Sequence, residues 1–412
     1  MTTTTIPTTT APTPAPETEV RVPHDGLRDF VTGVLRARGL PEGRARTAAE
    51  ALCHGDLTGF TTHGVTNLTR LYLPLLDSGR CDPAAEPVRL TDTGPAVLVD
   101  ARRALGLWSA VEAMDLAVER ARTYGIGMVS VRGGTHFGCA GHHALRAVDH
   151  GMIGLATANC GRQRLAPPPG SAARMLGTNP LALAAPAGQH PPFTLDMSTT
   201  VVPTGRIRAA ARSGEAVPEG WLEDADRNPV TDPSAYDRGE AHLRWLGGTP
   251  ENGAYKGYGL GLLVEVLSAL LPGAGIGPHH DTRDHPDDDV GHLLLAIAPG
   301  RLRPETGFLG AATGLFGALL DCPPLHDTDE PVAYPGWWEQ HRTRDRTAHG
   351  VPLAAGLHRE LRAVAGELGL AFPEAVRDDK AVRDDKAVRD DAAVRDDAAV
   401  RDDKAVREGV TT

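Results

Sequence analysis

The chain has 412 residues, of which 41% are hydrophobic, so it can bury one large core or two of ordinary size. Its formal net charge of -11, with basic residues scattered along the chain, argues against nucleic acid as a main partner, because phosphate binding needs a concentrated basic surface. No apolar run of about eighteen residues predicts a membrane span, and five widely spaced cysteines without a CxxC pair predict reduced thiols in a cytoplasmic protein.

Both ends of the chain have compositions that cannot supply a core. Residues 1–22 are rich in Thr and Pro and have neither the basic start nor the apolar centre of a signal peptide, so they are predicted to be a disordered tail. Residues 375–412 repeat the hexapeptide AVRDDK with small variations. A period of six turns a helix by about 600°, so its valines form no apolar stripe. This second tail is predicted to be solvated and to carry no chemistry.

Helical spacing of apolar residues dominates the first part of the folded region. A first predicted helix begins at Asp25, a turn follows at Leu40-Pro41, and a second predicted helix runs from about Glu42 to Leu57. The stretch Thr61 to Val65 then opens a third predicted helix and places a hydroxyl, an imidazole and a glycine side by side. Because the usual pKa of histidine lies near 6.5 and a helix N-terminus lowers it slightly, His63 is a candidate proton donor. A surface or structural histidine would fit the same residues.

Alternating strands and helices in the middle of the chain predict an α/β core. Predicted helices cover residues 108–124, 141–150, 255–271 and 354–370, and predicted strands cover residues 96–100, 128–131, 153–158, 181–185, 193–197 and 290–298. The loop Arg132 to Gly138 joins a strand to a helix N-terminus, where anions bind well. Pro180 is expected to push Asn179 into an extended conformation. Residues 206–237 are polar, contain three prolines, and are predicted to be a connecting segment.

Two further polar residues have alternative interpretations. Lys256 opens a glycine-rich apolar helix, where it can meet a phosphate or carboxylate, but glycines there also suit a helix packed tightly on a neighbour. Asp196 ends a predicted strand, where it can orient His63 or serve as a capping or turn residue. The sequence alone leaves both choices open.

Several established kinds of site are absent from the sequence. The acidic and histidine-rich run from His279 to Asp289 lacks the spacing that holds metal ligands, so a solvated loop is predicted there and no metal site is assigned. No GxGxxG motif follows a first strand, and there is no Walker loop, GxSxG elbow, HExxH helix or signature of a cysteine nucleophile.

Six short motifs, taken together, resemble those of a known family. In their order and approximate spacing they are similar to the malate/L-lactate dehydrogenase family of the type without a Rossmann fold, which includes ureidoglycolate dehydrogenase, diketogulonate reductase, sulfolactate dehydrogenase and piperideine-2-carboxylate reductase. The resemblance covers about residues 23–370. The motifs are Thr62-His63-Gly64-Val65, Gly133 to Gly138, Gly177 to Leu181, Leu195 to Thr199, Lys256 to Gly259, and Tyr334-Pro335-Gly336.

The resemblance implies an α/β fold with its own, non-Rossmann NAD(P)-binding domain. That domain would span residues 96–289, and residues 23–95 with 290–372 would form a mixed helical substrate and dimerisation domain of a homodimer. The implied cofactor is NAD or NADP. The implied reaction is hydride transfer to or from a 2-oxo acid, a 2-hydroxy acid or a cyclic imine.

The resemblance also implies roles for individual residues. His63 would be the proton donor, Thr62 would occupy the position of a relay serine, and Asp196 would complete the catalytic set. Thr178 would contact the substrate. The cofactor would be bound by His136, Phe137, Gly138, Cys139, Ala140, Asp196, Met197, Ser198, Lys256, Gly257, Pro335, Gly336 and Trp337. This agrees with the chemistry of the residues, because negative charge grows on oxygen as hydride reaches carbon, and a positioned imidazolium stabilises and protonates it.

Three positions depart from the family pattern. The family has an arginine four residues after the catalytic histidine, which pairs with the substrate carboxylate; here Asn67 offers hydrogen bonds without charge, and Arg70 is the candidate replacement. Thr62 keeps the hydroxyl of the relay serine but has a stiffer χ1. Trp337 and Trp338 put aromatic surface where the family has charge.

Three hypotheses follow from these residues. The first is an NAD(P)-dependent oxidoreductase for an atypical substrate, one that is larger, more apolar or less dependent on a free carboxylate than malate or lactate. The second is a nucleotide-binding family member that has lost turnover and has a structural or regulatory role. The third, metal-dependent hydrolysis through residues 279–289, would require metal to co-purify with the protein.

Overall fold

The computed structural model describes residues 19–279, 288–325 and 331–376. Contacts place residues up to Glu374 in one unit and Ala375–Thr412 in another. The two predicted tails therefore lie mostly outside the described residues, as does most of the predicted loop between His279 and Asp289. The predicted N-terminal tail, residues 1–22, extends four residues too far, because Glu19–Val22 forms strand β1.

Helices α1 (His24–Ala37) and α2 (Glu42–Thr58) form the predicted N-terminal pair. Their apolar faces join the main core, and β1 pairs antiparallel with β12 (Val351–Ala354), near the other end of the described chain. Helix α2 ends at Gly59, whose φ of 95° suits glycine. In place of the long third helix that was predicted, the chain makes one 3₁₀ turn (Thr61–His63), a π turn (Leu68–Tyr72) and the short helix α3 (Leu73–Asp77).

A seven-stranded mixed sheet forms the centre of the molecule, as predicted for an α/β protein. Its strand order is β2-β3-β4-β11-β5-β6-β7. Only the β3–β4 pair is parallel within this sheet. The strands are β2 (Val88–Asp92), β3 (Ala96–Asp100), β4 (Ile126–Gly134), β5 (Ile153–Ala158), β6 (Leu181–Ala187), β7 (His190–Met197) and β11 (Val290–Ile297). Helices α4 (Gly106–Tyr124) and α5 (Ala140–Val148) pack on the sheet.

Strand β11 pairs with both β4 and β5, so it is the central strand. Its residues were assigned, as part of residues 290–372, to the substrate and dimerisation domain, whereas β4 and β5 belong to the predicted NAD(P)-binding domain of residues 96–289. The two-domain division of residues 23–372 stays a prediction.

Residues 206–237 were predicted to be a connecting segment, and this was wrong. They lie within a small substructure built from α6 (Thr204–Ser213), β8 (Leu222–Glu223), β9 (Pro229–Val230), α7 (Ser234–Asp237) and β10 (His242–Leu243). This substructure has its own apolar core, formed by Val202, Ile207, Val217, Leu222, Ala235, Tyr236, Ala241 and Leu243. Its elements are only two to ten residues long, so no periodic pattern develops in the sequence.

The last part of the chain is mainly helical. Helix α8 (Ala254–Glu265) continues as a π turn (Val266–Leu270), and α9 (Glu305–Leu320), α10 (Trp337–His349) and α11 (Ala355–Leu368) follow. Periodicity predicted α8 and α11 but neither α9 nor α10. Helix α9 is apolar on all sides and α10 is polar on all sides, so neither shows a stripe. Among the described residues, no helix is both long and apolar enough to cross a membrane.

The contact between β5 and α5 yields a prediction about stability. A Cβ on Gly154 would lie 2.1 Å from the carbonyl oxygen of Ala144 in α5. We expect Gly154→Ala to lower the free energy of unfolding by about 2 kcal/mol, because either the helix or the strand must move. Denaturant unfolding of the two proteins measures the difference.

The matched control is Gly366→Ala in α11, where a Cβ would meet nothing within 4 Å. It should be neutral or stabilising by up to about 1 kcal/mol, because alanine favours helix over glycine. Equal unfolding free energies for Gly154→Ala and wild type would show that the helix adjusts without strain.

Candidate active site

The predicted catalytic loop lies directly on the end of α2. A Cβ on Gly55 would lie 2.8 Å from both the Gly64 nitrogen and the His63 carbonyl carbon, so only glycine permits this approach. The buried carboxylate of Asp56 accepts the Val65 N–H at 2.7 Å. Two adjacent residues of α2, Gly55 and Asp56, therefore fix the position of the loop Thr61 to Val65.

His63 is partly buried, and its Nδ1 lies 3.1 Å from Thr62 Oγ1. Burial lowers the pKa of His63 to about 4. The sequence predicted a small decrease caused by a helix dipole, but the cause is desolvation of the imidazolium. His63 is thus neutral at pH 7, with the threonine hydroxyl beside one ring nitrogen.

A second imidazole, that of His136, stacks on His63 with ring centroids 5.8 Å apart. Nδ1 of His136 accepts the Gly138 N–H at 3.2 Å and so carries no hydrogen of its own. The Tyr72 hydroxyl, 2.8 Å away, therefore donates to the same nitrogen. This leaves the Nε2–H of His136 as a hydrogen-bond donor beside His63. Burial, followed by the nearby His63, lowers the pKa of His136 to about 3.

Asp196 does not pair with His63, contrary to the interpretation that it orients this imidazole. Its Oδ2 accepts the Gly141 N–H at 2.7 Å, in the first turn of α5. Burial raises the pKa of Asp196 to about 6, and the bond from Gly141 opposes this rise. Asp196 thus occupies the helix N-terminus in the capping role, beside the predicted cofactor loop His136 to Ala140.

The two predicted carboxylate-binding residues are both engaged within the protein. Asn67 Nδ2 donates to the main-chain oxygen of Thr62 at 2.9 Å, so Asn67 closes the catalytic loop. Arg70 donates to Thr66 Oγ1 at 2.9 Å and lies 3.8 Å from Glu360 in α11. The guanidinium of Arg70 is therefore directed towards α11 by these contacts.

Thr178 lies in a loop that is fixed by a buried polar network. Its carbonyl oxygen accepts hydrogen bonds from both the main-chain N–H and the hydroxyl of Thr199. The next residue, Asn179, has a φ of 40°, so the extended conformation predicted for it was wrong. Its Nδ2 donates to Gly261 O at 2.9 Å and to Glu265 at 2.7 Å, and these bonds hold the left-handed conformation.

Lys256 and Gly257 lie at the start of α8. Lys256 is exposed, with its ammonium 5.9 Å from the ring centroid of Tyr255. A Cβ on Gly257 would lie 2.4 Å from Leu246 O, so tight packing explains this glycine. Lys256 itself lies exposed at the surface.

Residues Pro335 to Trp337 lie against β7. The carbonyl oxygen of Pro335 accepts the Thr194 N–H at 2.9 Å, and Gly336 has a φ of 99°. The Trp337 ring packs on Tyr334 and His341. This brings the segment near Asp196 of β7. The pKa of Asp196 is raised mainly by burial and also by Glu339, which lies in α10. Met197 and Ser198 follow Asp196, and the Ser198 hydroxyl donates to Thr200 O at 3.0 Å.

Four further histidines lie near the site, and no motif in the sequence marks them. Phe137 is stacked between His143, at 4.7 Å, and His292, at 4.9 Å, and the rings of His54 and His142 lie 5.0 Å apart. Desolvation is the main cause that lowers the pKa of each: to about 4 for His54 and His143, to about 3 for His292, and well below its usual value for His142.

Asp56, Tyr72 and Glu265 were also missed. Asp56 and Tyr72 flank the Thr62-His63 motif in the sequence, but only the fold brings Tyr72 to His136, which is 64 positions away. Within the ranges 19–279, 288–325 and 331–376, no group of three or more His, Cys, Asp or Glu residues is arranged to hold a metal ion. The residues from His280 to Asp287 lie outside these ranges.

Comparison with known proteins places these motifs in context. A family model described as malate/L-lactate dehydrogenase matches residues 22–362. The malate dehydrogenase of Pyrococcus horikoshii is 38% identical over 356 residues, which is 86% of this chain and 97% of the relative. The Δ1-pyrroline-2-carboxylate/Δ1-piperideine-2-carboxylate reductase of Pseudomonas putida is 31% identical over 295 residues, which is 71% of this chain and 84% of the relative. The crystal structure of malate dehydrogenase from Entamoeba histolytica superposes with a TM-score of 0.82 at 28% identity and covers 87% of this chain and 100% of that one.

The buried histidines predict a loss of stability in acid. Their pKa values are lowered in the folded chain, so the unfolded chain takes up their protons first, starting near pH 6.5. Each then removes about 1.4 kcal/mol of stability per pH unit until its folded pKa is reached. Asp56 and Asp196 have raised pKa values, so they add stability as the pH falls, but the two carboxyl groups are outnumbered by the buried histidines. We expect the denaturant midpoint to fall between pH 6.5 and 4.

His54→Gln should make this dependence shallower, because it removes one of the buried imidazoles. A midpoint that stays constant from pH 7 to pH 4.5 would contradict the assignment of neutral buried imidazoles.

Proposed function

The chain belongs to the malate/L-lactate dehydrogenase family and is an NAD(P)-dependent oxidoreductase, and we propose that it reduces or forms a 2-oxo acid or cyclic imine with His63 as the proton-transfer residue. The observation that carries this proposal is the stacked pair of neutral imidazoles, His63 and His136, with Thr62 and Tyr72 on their ring nitrogens. Two oriented imidazoles offer one group that moves a proton and a second that donates a hydrogen bond to oxygen or nitrogen.

The proposed cofactor residues fit a nucleotide in their local chemistry. Lys256 offers an exposed positive charge at the start of α8. Gly138 and Gly336 have φ values of 83° and 99°, and a Cβ there would meet Leu107 at 2.9 Å and Pro192 O at 2.6 Å, so backbone conformation and packing require glycine at both predicted contacts. His136 to Ala140, Asp196 to Ser198, Lys256 with Gly257, and Pro335 to Trp337 would hold it. The nicotinamide, when bound, supplies or accepts the hydride.

Direction of reaction determines what His63 does. With a pKa near 4 it is unprotonated at pH 7, ready to accept the hydroxyl proton of a 2-hydroxy acid. In the reductive direction it must first take up a proton, which an adjacent substrate carboxylate or a growing oxyanion favours by raising its pKa. Thr62 holds the ring in place in both directions.

We propose an atypical substrate because the expected carboxylate-binding residues are engaged elsewhere. Asn67 donates a hydrogen bond to Thr62 O. Arg70 donates a hydrogen bond to Thr66 Oγ1 and forms an ion pair with Glu360. Trp337 and Trp338 add aromatic surface at the predicted cofactor segment. A larger, more apolar substrate, or one held less by a free carboxylate, fits these residues better than malate or lactate. Arg70 remains a candidate substrate contact only if it leaves Glu360.

A panel of 2-oxo acids and cyclic imines, assayed with NADH and with NADPH, tests this function. We expect turnover of at least one bulky or cyclic member, with plain pyruvate and oxaloacetate poor. His63→Ala should lower kcat by about 100-fold or more, because general acid–base catalysis contributes a factor of that size. Nucleotide binding, followed by thermal shift, should be unchanged in this variant.

His349→Ala is the matched control and should retain wild-type kcat. Robust turnover of pyruvate or oxaloacetate would reject the atypical substrate. Nucleotide binding without turnover of any panel member, and no effect of His63→Ala, would support the alternative of an inactive family member with a structural or regulatory role.

We also propose a cytoplasmic homodimer. The five cysteines are free thiols in the structure, which supports a reducing compartment. One face of α8 and its π turn carries apolar side chains that are 38% to 60% exposed, namely Leu262, Leu263, Val266, Leu270 and Leu271. Such a contiguous apolar surface is typical of a protein interface.

Light scattering should give twice the mass of one chain for the wild type, and Leu263→Glu with Val266→Glu should shift it to the mass of one chain. Leu90→Glu, on β2 at similar exposure, is the control and should leave the mass unchanged. A wild-type monomer at micromolar concentration would reject the homodimer.

A further inference from the structure

The carboxylate of Asp56 is a buried acid that the proposed reaction does not use directly. It lies in the last turn of α2 and is 1% exposed. A Cβ on Gly64 would lie 2.3 Å from all three atoms of this carboxylate group. Glycine at position 64 thus allows the loop that follows His63 to approach the acid, and the Val65 N–H completes the contact at 2.7 Å.

No ion pair compensates this carboxylate within the described residues. Arg346 of α10 donates to the main-chain oxygen of Asp56, and Arg342 donates to Thr58 O at 3.4 Å. Both arginines therefore hold the end of α2 by its main chain. A buried carboxylate with one hydrogen bond from outside its own residue is costly compared with a neutral residue of the same size, so packing alone does not explain it.

We propose that Asp56 is a positioning residue for proton transfer by His63. Its carboxylate fixes the main chain at Gly64 and Val65, and with Gly55 it sets where the His63 imidazole lies relative to His136. This inference rests on the proposed function, because it concerns the orientation of the proposed proton-transfer residue. A displacement of about 1 Å at a reacting group lowers a rate by about 100-fold, so a small movement of this loop has a measurable effect.

The charge of Asp56 changes in the range where the enzyme would be assayed. Burial raises its pKa to about 7, while the Val65 N–H and then Arg346 oppose the rise. The titratable groups around it are Cys53 on α2, Cys139 before α5, Arg346 on α10 and His63 in the loop above. Ionised Asp56 accepts the Val65 N–H more strongly than the protonated acid does. We therefore expect kcat to rise with pH through about 7.

The experiment compares Asp56→Ala, Asp56→Asn and wild type with the best substrate of the panel from pH 5.5 to 8.5. Asp56→Ala should lower kcat by about 100-fold while the KM and the binding of NAD(P)H change by less than about twofold. Asp56→Asn keeps a neutral acceptor oxygen for Val65, as the protonated acid does, so its kcat should lie between those of Asp56→Ala and of wild type above pH 7, and it should lose the inflection near pH 7. Asp29→Asn, an exposed acid of α1, is the control and should match wild type.

Three outcomes would overturn the positioning role. They are a wild-type kcat in Asp56→Ala, a parallel loss of nucleotide binding and kcat in that variant, and an unchanged inflection in Asp56→Asn. The isosteric Asp56→Asn decides the question even if Asp56→Ala does not fold. Wild-type turnover is measured first. No turnover of any panel member counts against the proposed function, whereas wild-type turnover combined with any of the three outcomes above counts against the positioning role alone.

Discussion

The hydrogen-bond ladder on both sides of β11 is the interaction on which the rest of the structure depends. Through it, one late strand joins β4, which leads into the His136 loop, to β5, which ends beside the polar network at Asn159. The side chain of Asn159 donates to Gly275 O and accepts the Gly291 N–H. Loops from three distant parts of the sequence are thereby fixed at one end of the three central strands, and the candidate site lies where these loops meet.

The chemistry of that site follows from burial more than from charge. Imidazoles that would titrate near neutrality in water remain uncharged here, and the carboxyl groups of Asp56 and Asp196 bind protons more readily than exposed acids. A low-dielectric site strengthens each remaining hydrogen bond, so directional contacts such as Tyr72 to His136 acquire more influence over geometry than they would at a surface.

The local motifs and the α/β class can be predicted from the sequence, but the long-range partners cannot. Thr62 and His63 are adjacent, so their contact is visible in the sequence, whereas the partner of His136 is Tyr72 and the partner of Asp196 is Gly141, which only the folded chain brings together. Elements without an apolar stripe, such as α9 and α10, leave no periodic signal. The elements of the substructure around α6 are too short to show one.

The bond from Asn67 to Thr62 O has a consequence for attempts to redesign this enzyme. Introducing arginine at position 67, the family's usual residue, adds a cation for a substrate carboxylate but also removes the amide that closes the loop carrying His63. Position 67 thus links the proposed substrate preference to the rigidity of the loop. A conversion to a small hydroxy acid substrate would need a second substitution that restores the lost contact.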